Sequence, residues 1–252
     1  MKYAQIFFSP TGGTAKVADT LTKKWSSVEQ IDLSKAKTNF SEYKFSPEDM
    51  VLVAMPSFGG LPPQIAIDRF MQISGNGAKC IVVAVYGNRA YEDTLVQMQD
   101  TAEKSGFQVI AAVSAVAEHS IMHQYATGRP NQFDVVQLSS FADRIMEKSL
   151  EEKISKPVLP GKRPYKKPGG VGLVPKCTSS CVSCGLCANV CPVQAIDRKN
   201  PKATYGKKCI SCMRCVSVCP QKARKVSNVM TSIAALAIKK ECSKKKENEL
   251  FL

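Results

Sequence analysis

The chain has 252 residues, room for one large domain or two small ones. Its hydrophobic fraction of 44% suits a globular protein, whereas eleven cysteines and a net charge of +14 are unusual. No stretch reaches the roughly 18–20 apolar residues of a membrane span, and the first strand runs into a Gly/Thr turn without a cleavage site, so neither a membrane span nor a signal peptide is expected.

The two unusual features share one half of the chain. Residues 1–150 hold 14 Lys+Arg against 15 Asp+Glu; the remainder holds 21 against 6, with ten of the eleven cysteines. Cys80 is the exception. A cytoplasmic setting is expected, where thiols point to metal or redox chemistry rather than disulfides.

In chain order, Lys2–Phe8 predicts a strand that ends in Ser9-Pro-Thr-Gly-Gly-Thr14. Val17, Leu21 and Trp25 then mark a helix face. Val28–Leu33 predicts a second strand, followed by a polar stretch to Asp49. Met50–Met55 and Cys80–Val85 are continuous apolar runs, the pattern of strands buried on both faces. Helices are expected at Gln64–Gln72, Asp93–Ser105 and Gln137–Lys153, and a fifth strand at Phe107–Val113. This alternation predicts an α/β fold, an open five-stranded parallel sheet with helices on both faces. The connection Ser114–Val136 is long for a compact domain. Five prolines and four glycines between Ser155 and Pro175 predict a linker, extended in places. Val226–Lys239 suits a short amphipathic helix, and Lys244–Lys246 a solvated, frayed end.

Cys181-x-x-Cys184-x-x-Cys187-x-x-x-Cys191-Pro192 recurs 28 residues later as Cys209-x-x-Cys212-x-x-Cys215-x-x-x-Cys219-Pro220. Structural zinc sites use pairs of cysteines with a longer spacer, not three in a row plus Cys-Pro. Three thiolates on one loop need a fourth ligand from elsewhere, and in the two-cluster pattern it comes from the other run. The expected sets are therefore crossed: Cys181, Cys184, Cys187 and Cys219 for one [4Fe–4S] cluster, and Cys209, Cys212, Cys215 and Cys191 for the second. Residues 177–222 resemble the bacterial two-cluster ferredoxin module, a small α+β unit. Cys177 and Cys242 fall outside the pattern.

A Gly/Ser/Thr turn between a strand and a helix is either a helix cap or a phosphate site. Two more loops leave strand ends on the same side: Pro56-Ser57-Phe58-Gly59-Gly60, and Tyr86-Gly87-Asn88-Arg89 running on to Tyr91 and Asp93. Ser9 to Thr14 satisfies the flavodoxin pattern Ser/Thr-x-Thr-Gly-x-Thr, and residues 1–152 resemble a flavodoxin. The resemblance implies that Ser9, Thr11, Gly12, Gly13 and Thr14 hold the phosphate of FMN. It also implies that the two loops flank the ring, with Phe58 and Tyr91 against its faces. Arg89 departs from the acidic surroundings usual in that family, and a cation there should raise the flavin potential. His119 and His123 lie in the long connection; a proton-donor role is one reading, a metal site the weaker one.

The whole chain resembles fused flavodoxin–ferredoxin proteins of anaerobic bacteria and archaea. The expected units are a flavodoxin-like domain at 1–153, a linker at 154–175, a two-cluster domain at 176–224 and a basic tail at 225–252. The resemblance implies electron transfer between two [4Fe–4S] clusters and FMN, linking one- and two-electron partners. The alternative is a ferredoxin-dependent FMN reductase of a small substrate. With about −2 for each cluster and for the phosphate, the loaded protein sits nearer +8 than +14. The remaining excess suggests an acidic redox partner such as a ferredoxin. Scattered lysines with little aromatic interleaving argue against nucleic acid, and no oligomeric state is assigned.

Overall fold

The structure, a computed structural model, describes residues 1–169 and 172–252. Strands β1 (Tyr3–Phe7), β2 (Val28–Asp32), β3 (Met50–Pro56), β4 (Lys79–Tyr86) and β5 (Gln108–Val116) pair in parallel in the order β2-β1-β3-β4-β5. That is the flavodoxin-like order, in which ligands sit beyond the strand ends where β1 and β3 diverge. Helices α2 (Gln64–Phe70) and α3 (Thr94–Lys104) pack on one face through Phe70, Leu95 and Met98. Helices α1 (Gly13–Leu21) and α4 (Gln132–Ser149) pack on the other through Val17, Leu138 and Ile145. The two continuous apolar runs are covered on both sides, as their sequence demands. Cys80 is fully buried, and burial pushes its thiol pKa up, as for a core hydrophobe.

The sheet has six strands, not five. Strand β8 (Glu249–Phe251), at the end of the chain, pairs antiparallel with β5 over Ala112 to Ser114. It covers what would be an exposed edge. The tail is therefore not a frayed end: helix α7 (Asn228–Cys242) leads into it, and Lys246 donates to the Arg89 carbonyl at 2.6 Å. Helix α4 also starts five residues before its expected position. Asn131 and Asp134 form a reciprocal capping box there, which shortens the long connection.

The second unit is small. Strands β6 (Lys176–Cys177) and β7 (Arg224–Lys225) pair antiparallel, and helices α5 (Leu186–Asn189) and α6 (Arg214–Ser217) each follow a cysteine loop. The 28-residue repeat is also a backbone repeat. Ser183 and Ser211 have φ of 56° and 54°, and Gln194 and Lys222 have 51° and 47°. Gly185 opens α5 in the left-handed region, which costs glycine little; its equivalent Met213 takes the same conformation at φ 60°.

The described part of the linker lies on the first unit without regular structure. Asp93 accepts the Lys162 and Lys166 amides, Asp100 pairs with Arg163 at 2.7 Å, and Gln99 donates to the Pro157 carbonyl. The linker expectation at residues 170 and 171 lies outside the described residues.

Candidate cofactor sites

The repeat folds each cysteine run into a tight loop and then one helical turn. Cys191 and Cys219 leave those turns and cross over. One cavity, with about 360 Å³ of atom-free space, is lined by Cys209, Cys212, Cys215 and Cys191. The other, of about 340 Å³, is lined by Cys181, Cys184, Cys187 and Cys219. Matching amides donate to the crossing sulfurs: Ala195 to Cys191 at 3.2 Å and Ala223 to Cys219 at 3.3 Å. Burial pushes the Cys212 thiol up to about 11 and Cys215 to about 12. Thiolates at those positions require a compensating cation. Among the described residues no three His, Cys, Asp or Glu side chains converge on a single-ion site. The cysteines ring a space instead, which fits the sulfur donor set of an iron–sulfur cluster.

The two cavities differ in their surroundings. Around Cys181–Cys187, Val182 is 65% and Leu186 40% exposed. Their repeat equivalents, Ile210 and Arg214, face the first unit. Ile210 packs on the core that contains α2 and α3, together with Phe58. Arg214 pairs with Asp32 at 3.8 Å and donates to the Ser9 carbonyl at 3.4 Å. Buried Arg69 of α2 bridges the units, donating to the Leu33 carbonyl at 2.6 Å and the Pro192 carbonyl at 2.7 Å.

The turn at Ser9 to Thr14 sits at the β1 end. Ser9 Oγ accepts the Ala15 amide at 2.9 Å, across the turn from the first helical turn, whose N-cap is Gly12. Gly12 takes φ 94°, and among the described residues the amides of Thr11, Gly12, Gly13 and Thr14 find no protein acceptor. Four free amides at a helix start, with the Thr11 and Thr14 hydroxyls beside them, suit a phosphate. The residues present therefore fit the FMN phosphate.

The two later loops are tied together. Thr94 donates to Ser57 Oγ at 2.8 Å and the Asp93 amide to the Gly60 carbonyl at 3.0 Å. A Cβ on Gly60 would lie 2.3 Å from Glu92 Oε2. Phe58 and Tyr91 are half-buried on the same core. Gly59 lies exposed beside Gly60, and Pro56 ends β3. Several side chains expected at the flavin are engaged elsewhere. Asp93 holds the linker. Asn88 donates to the Cys242 and Lys244 carbonyls at 2.6 and 2.8 Å. The Tyr91 hydroxyl donates to Glu249 at 2.7 Å, and Tyr86 is buried beside the Tyr91 ring. Asn88 thus holds the tail and Asp93 the linker, both of which cross this loop. Arg89 pairs with Glu92 at 2.6 Å, a carboxylate that Lys166 also meets.

The connection between β5 and α4 is stapled internally. Glu118 accepts the Gly128 amide and meets His123 Nδ1 at 2.7 Å. His119 Nδ1 accepts two backbone amides, each at 3.2 Å, and burial lowers its pKa to about 4. It is neutral near pH 7, so it is not a charged proton donor. Its ring packs on Gly87, where a Cβ would lie 2.7 Å from His119 Cδ2. The connection receives the tail: Tyr125 donates to the Ala235 carbonyl at 2.9 Å, and Met122, Tyr125, Ala235 and Cys242 form a small apolar cluster. Cys242 is thus a packing residue. Cys177 Sγ donates to the Pro201 carbonyl at 3.8 Å.

Three residues matter here that the sequence did not single out. Arg69, and Asn248, which accepts the Val116 amide and donates to Asp134, carry no local signal. Arg224 does: it stands where the repeat places Ile196.

Residues 180–224 match the family described as the 4Fe-4S dicluster domain. Among solved structures, oxidised flavodoxin 1 of Bacillus cereus is 17% identical, with TM-score 0.41 over 58% of this chain and 98% of its own. Oxidised flavodoxin 2 of Bacillus cereus is 15% identical, with TM-score 0.43 over 59% and 99%. The Trp repressor binding protein of Bacillus subtilis is 17% identical, with TM-score 0.42 over 60% and 99%. No curated protein matches the chain. Among the described residues no helix is long and apolar enough to cross a membrane. The chain therefore combines a sheet of flavodoxin-like order with a segment similar to 4Fe-4S dicluster domains.

Proposed function

We propose that the chain is an electron-transfer protein that carries FMN at the β1 turn and two [4Fe–4S] clusters in the cysteine cavities. The carrying observation is the pair of crossed cysteine sets, one of which is docked against the FMN turn. FMN, when bound, accepts one or two electrons, whereas a cluster accepts one. The protein's own part is positional. Cys191, Cys209, Cys212 and Cys215 form the inner site, held to the first unit by Arg69, Arg214 and Ile210. Cys181, Cys184, Cys187 and Cys219 form the outer site, with Val182 and Leu186 open to a partner. The path is outer site, inner site, flavin. The basic excess of residues 151–252 suits an acidic redox protein at the outer site. Anaerobic reconstitution with iron, sulfide and FMN tests the reading. About eight iron and one FMN per chain are expected; about four iron, or no retained flavin, would contradict it.

A further inference from the structure

The repeat of the two cysteine runs breaks at one buried position. Ile196 lines the inner cavity, and Arg224, its equivalent 28 residues on, lines the outer one. Arg224 is 2% exposed, the largest of the fully buried side chains. Its guanidinium donates to the Pro175 carbonyl at 3.3 Å, to Thr204 Oγ1 at 2.8 Å and to the Pro201 carbonyl, while Nε has no hydrogen-bond partner among the described residues. Cys187, a member of the outer set, lines the same cavity. Its nearest thiol neighbours are Cys187 of the outer set and Cys177, and it also acts on Cys215 of the inner set. A full positive charge is thus buried in the lining of the outer cavity, while an aliphatic side chain takes the equivalent place in the lining of the inner one.

We propose that Arg224 splits the two cluster sites in reduction potential, raising the outer site above the inner one. This rests on the two-cluster reading above. Adding one electron to a site makes it more negative, and a fixed cation stabilises the reduced form. Burial keeps water and salt from screening the effect. The electron comes from an external one-electron donor, which is oxidised. No bond forms or breaks, and all four thiolates stay in place. Ile196 supplies no such charge to the inner site. The first electron therefore rests at the outer site, where a partner docks.

The test is an anaerobic redox titration of the reconstituted full chain, followed by EPR. Wild type should show two separate one-electron waves. Arg224→Gln should move the upper wave down by at least tenfold in the ratio of reduced to oxidised sites, 59 mV for one electron, with a smaller change in the lower wave. Arg224→Lys keeps the charge and should keep most of the split. It separates charge from the loss of the guanidinium's anchors. If Arg224→Gln does not load, the comparison passes to Arg224→Met against Arg224→Lys. Eight iron per chain with superimposed waves in the neutral variant and wild type would overturn the inference alone. Fewer iron in wild type would overturn the two-cluster reading, and the inference with it.

Discussion

Arg69→Met removes the side chain that bridges the two units. Arg69 is 8% exposed, and burial lowers its pKa, so its charge is held by the contacts it makes. Two of those are carbonyls, Leu33 in the first unit and Pro192 beside the inner cysteine set. Phe40 lies under the guanidinium at 6.0 Å. A hydrogen bond from a charged group contributes about 1.5–3 kcal/mol, and an orphaned buried carbonyl costs a further share of that order. Methionine restores much of the aliphatic packing. The net loss in docking is then about 2–4 kcal/mol, a factor of about 30 to 1,000 in the opening equilibrium. Amide hydrogen exchange of the reconstituted protein reads that equilibrium directly. Protection should fall by that factor at Ala195 and at Val216 to Val218, while amides in β3 and β4 stay unchanged. Protection within twofold of wild type at those amides would refute the bridging role.

Asn248→Ala strips a buried side chain that accepts the Val116 amide at 2.8 Å and donates to Asp134 and Gln137. It should cost about 2–4 kcal/mol in urea unfolding of the first unit; an unchanged midpoint would mean that the tail contributes nothing. His119 has a depressed folded pKa, so the unfolded chain binds the extra proton between about 6.5 and about 4. Stability should fall as pH drops through that window, and His119→Gln should flatten this part of the profile; parallel wild-type and variant curves would contradict the assignment. The crossed ligand sets predict that Cys191→Ser with Cys209→Ser loses no more iron than either change alone. Cys191→Ser with Cys181→Ser should lose nearly all of it, and the reverse pattern would show uncrossed loops.

Much of the fold was legible because the sheet writes itself in doubly buried strands. Met50–Met55 and Cys80–Val85 can only be central, and both are. The crossed cysteine sets were expected from the two-cluster pattern, and each cavity brings together the four cysteines of one set. The tail was not legible for a physical reason. Glu249–Phe251 is three residues long and follows a lysine run, so its strand character comes from pairing with β5 and not from local pattern. The contacts of Asn88 and Asp93 were not legible for a related reason. Their loop is where the linker and the tail converge, a long-range feature with no local signal. Arg224 is the opposite case: its departure from Ile196 is visible in the repeat, but its burial in the lining of the outer cavity is visible only in the fold.

The most direct measurement is rapid anaerobic mixing of the reconstituted protein with a reduced one-electron donor, with cluster and flavin absorbance followed together. In wild type, cluster bleaching should precede flavin reduction. In Cys191→Ser with Cys209→Ser, the outer site should still bleach while the flavin stays oxidised on that timescale. Flavin reduction at the wild-type rate without the inner site would contradict the relay.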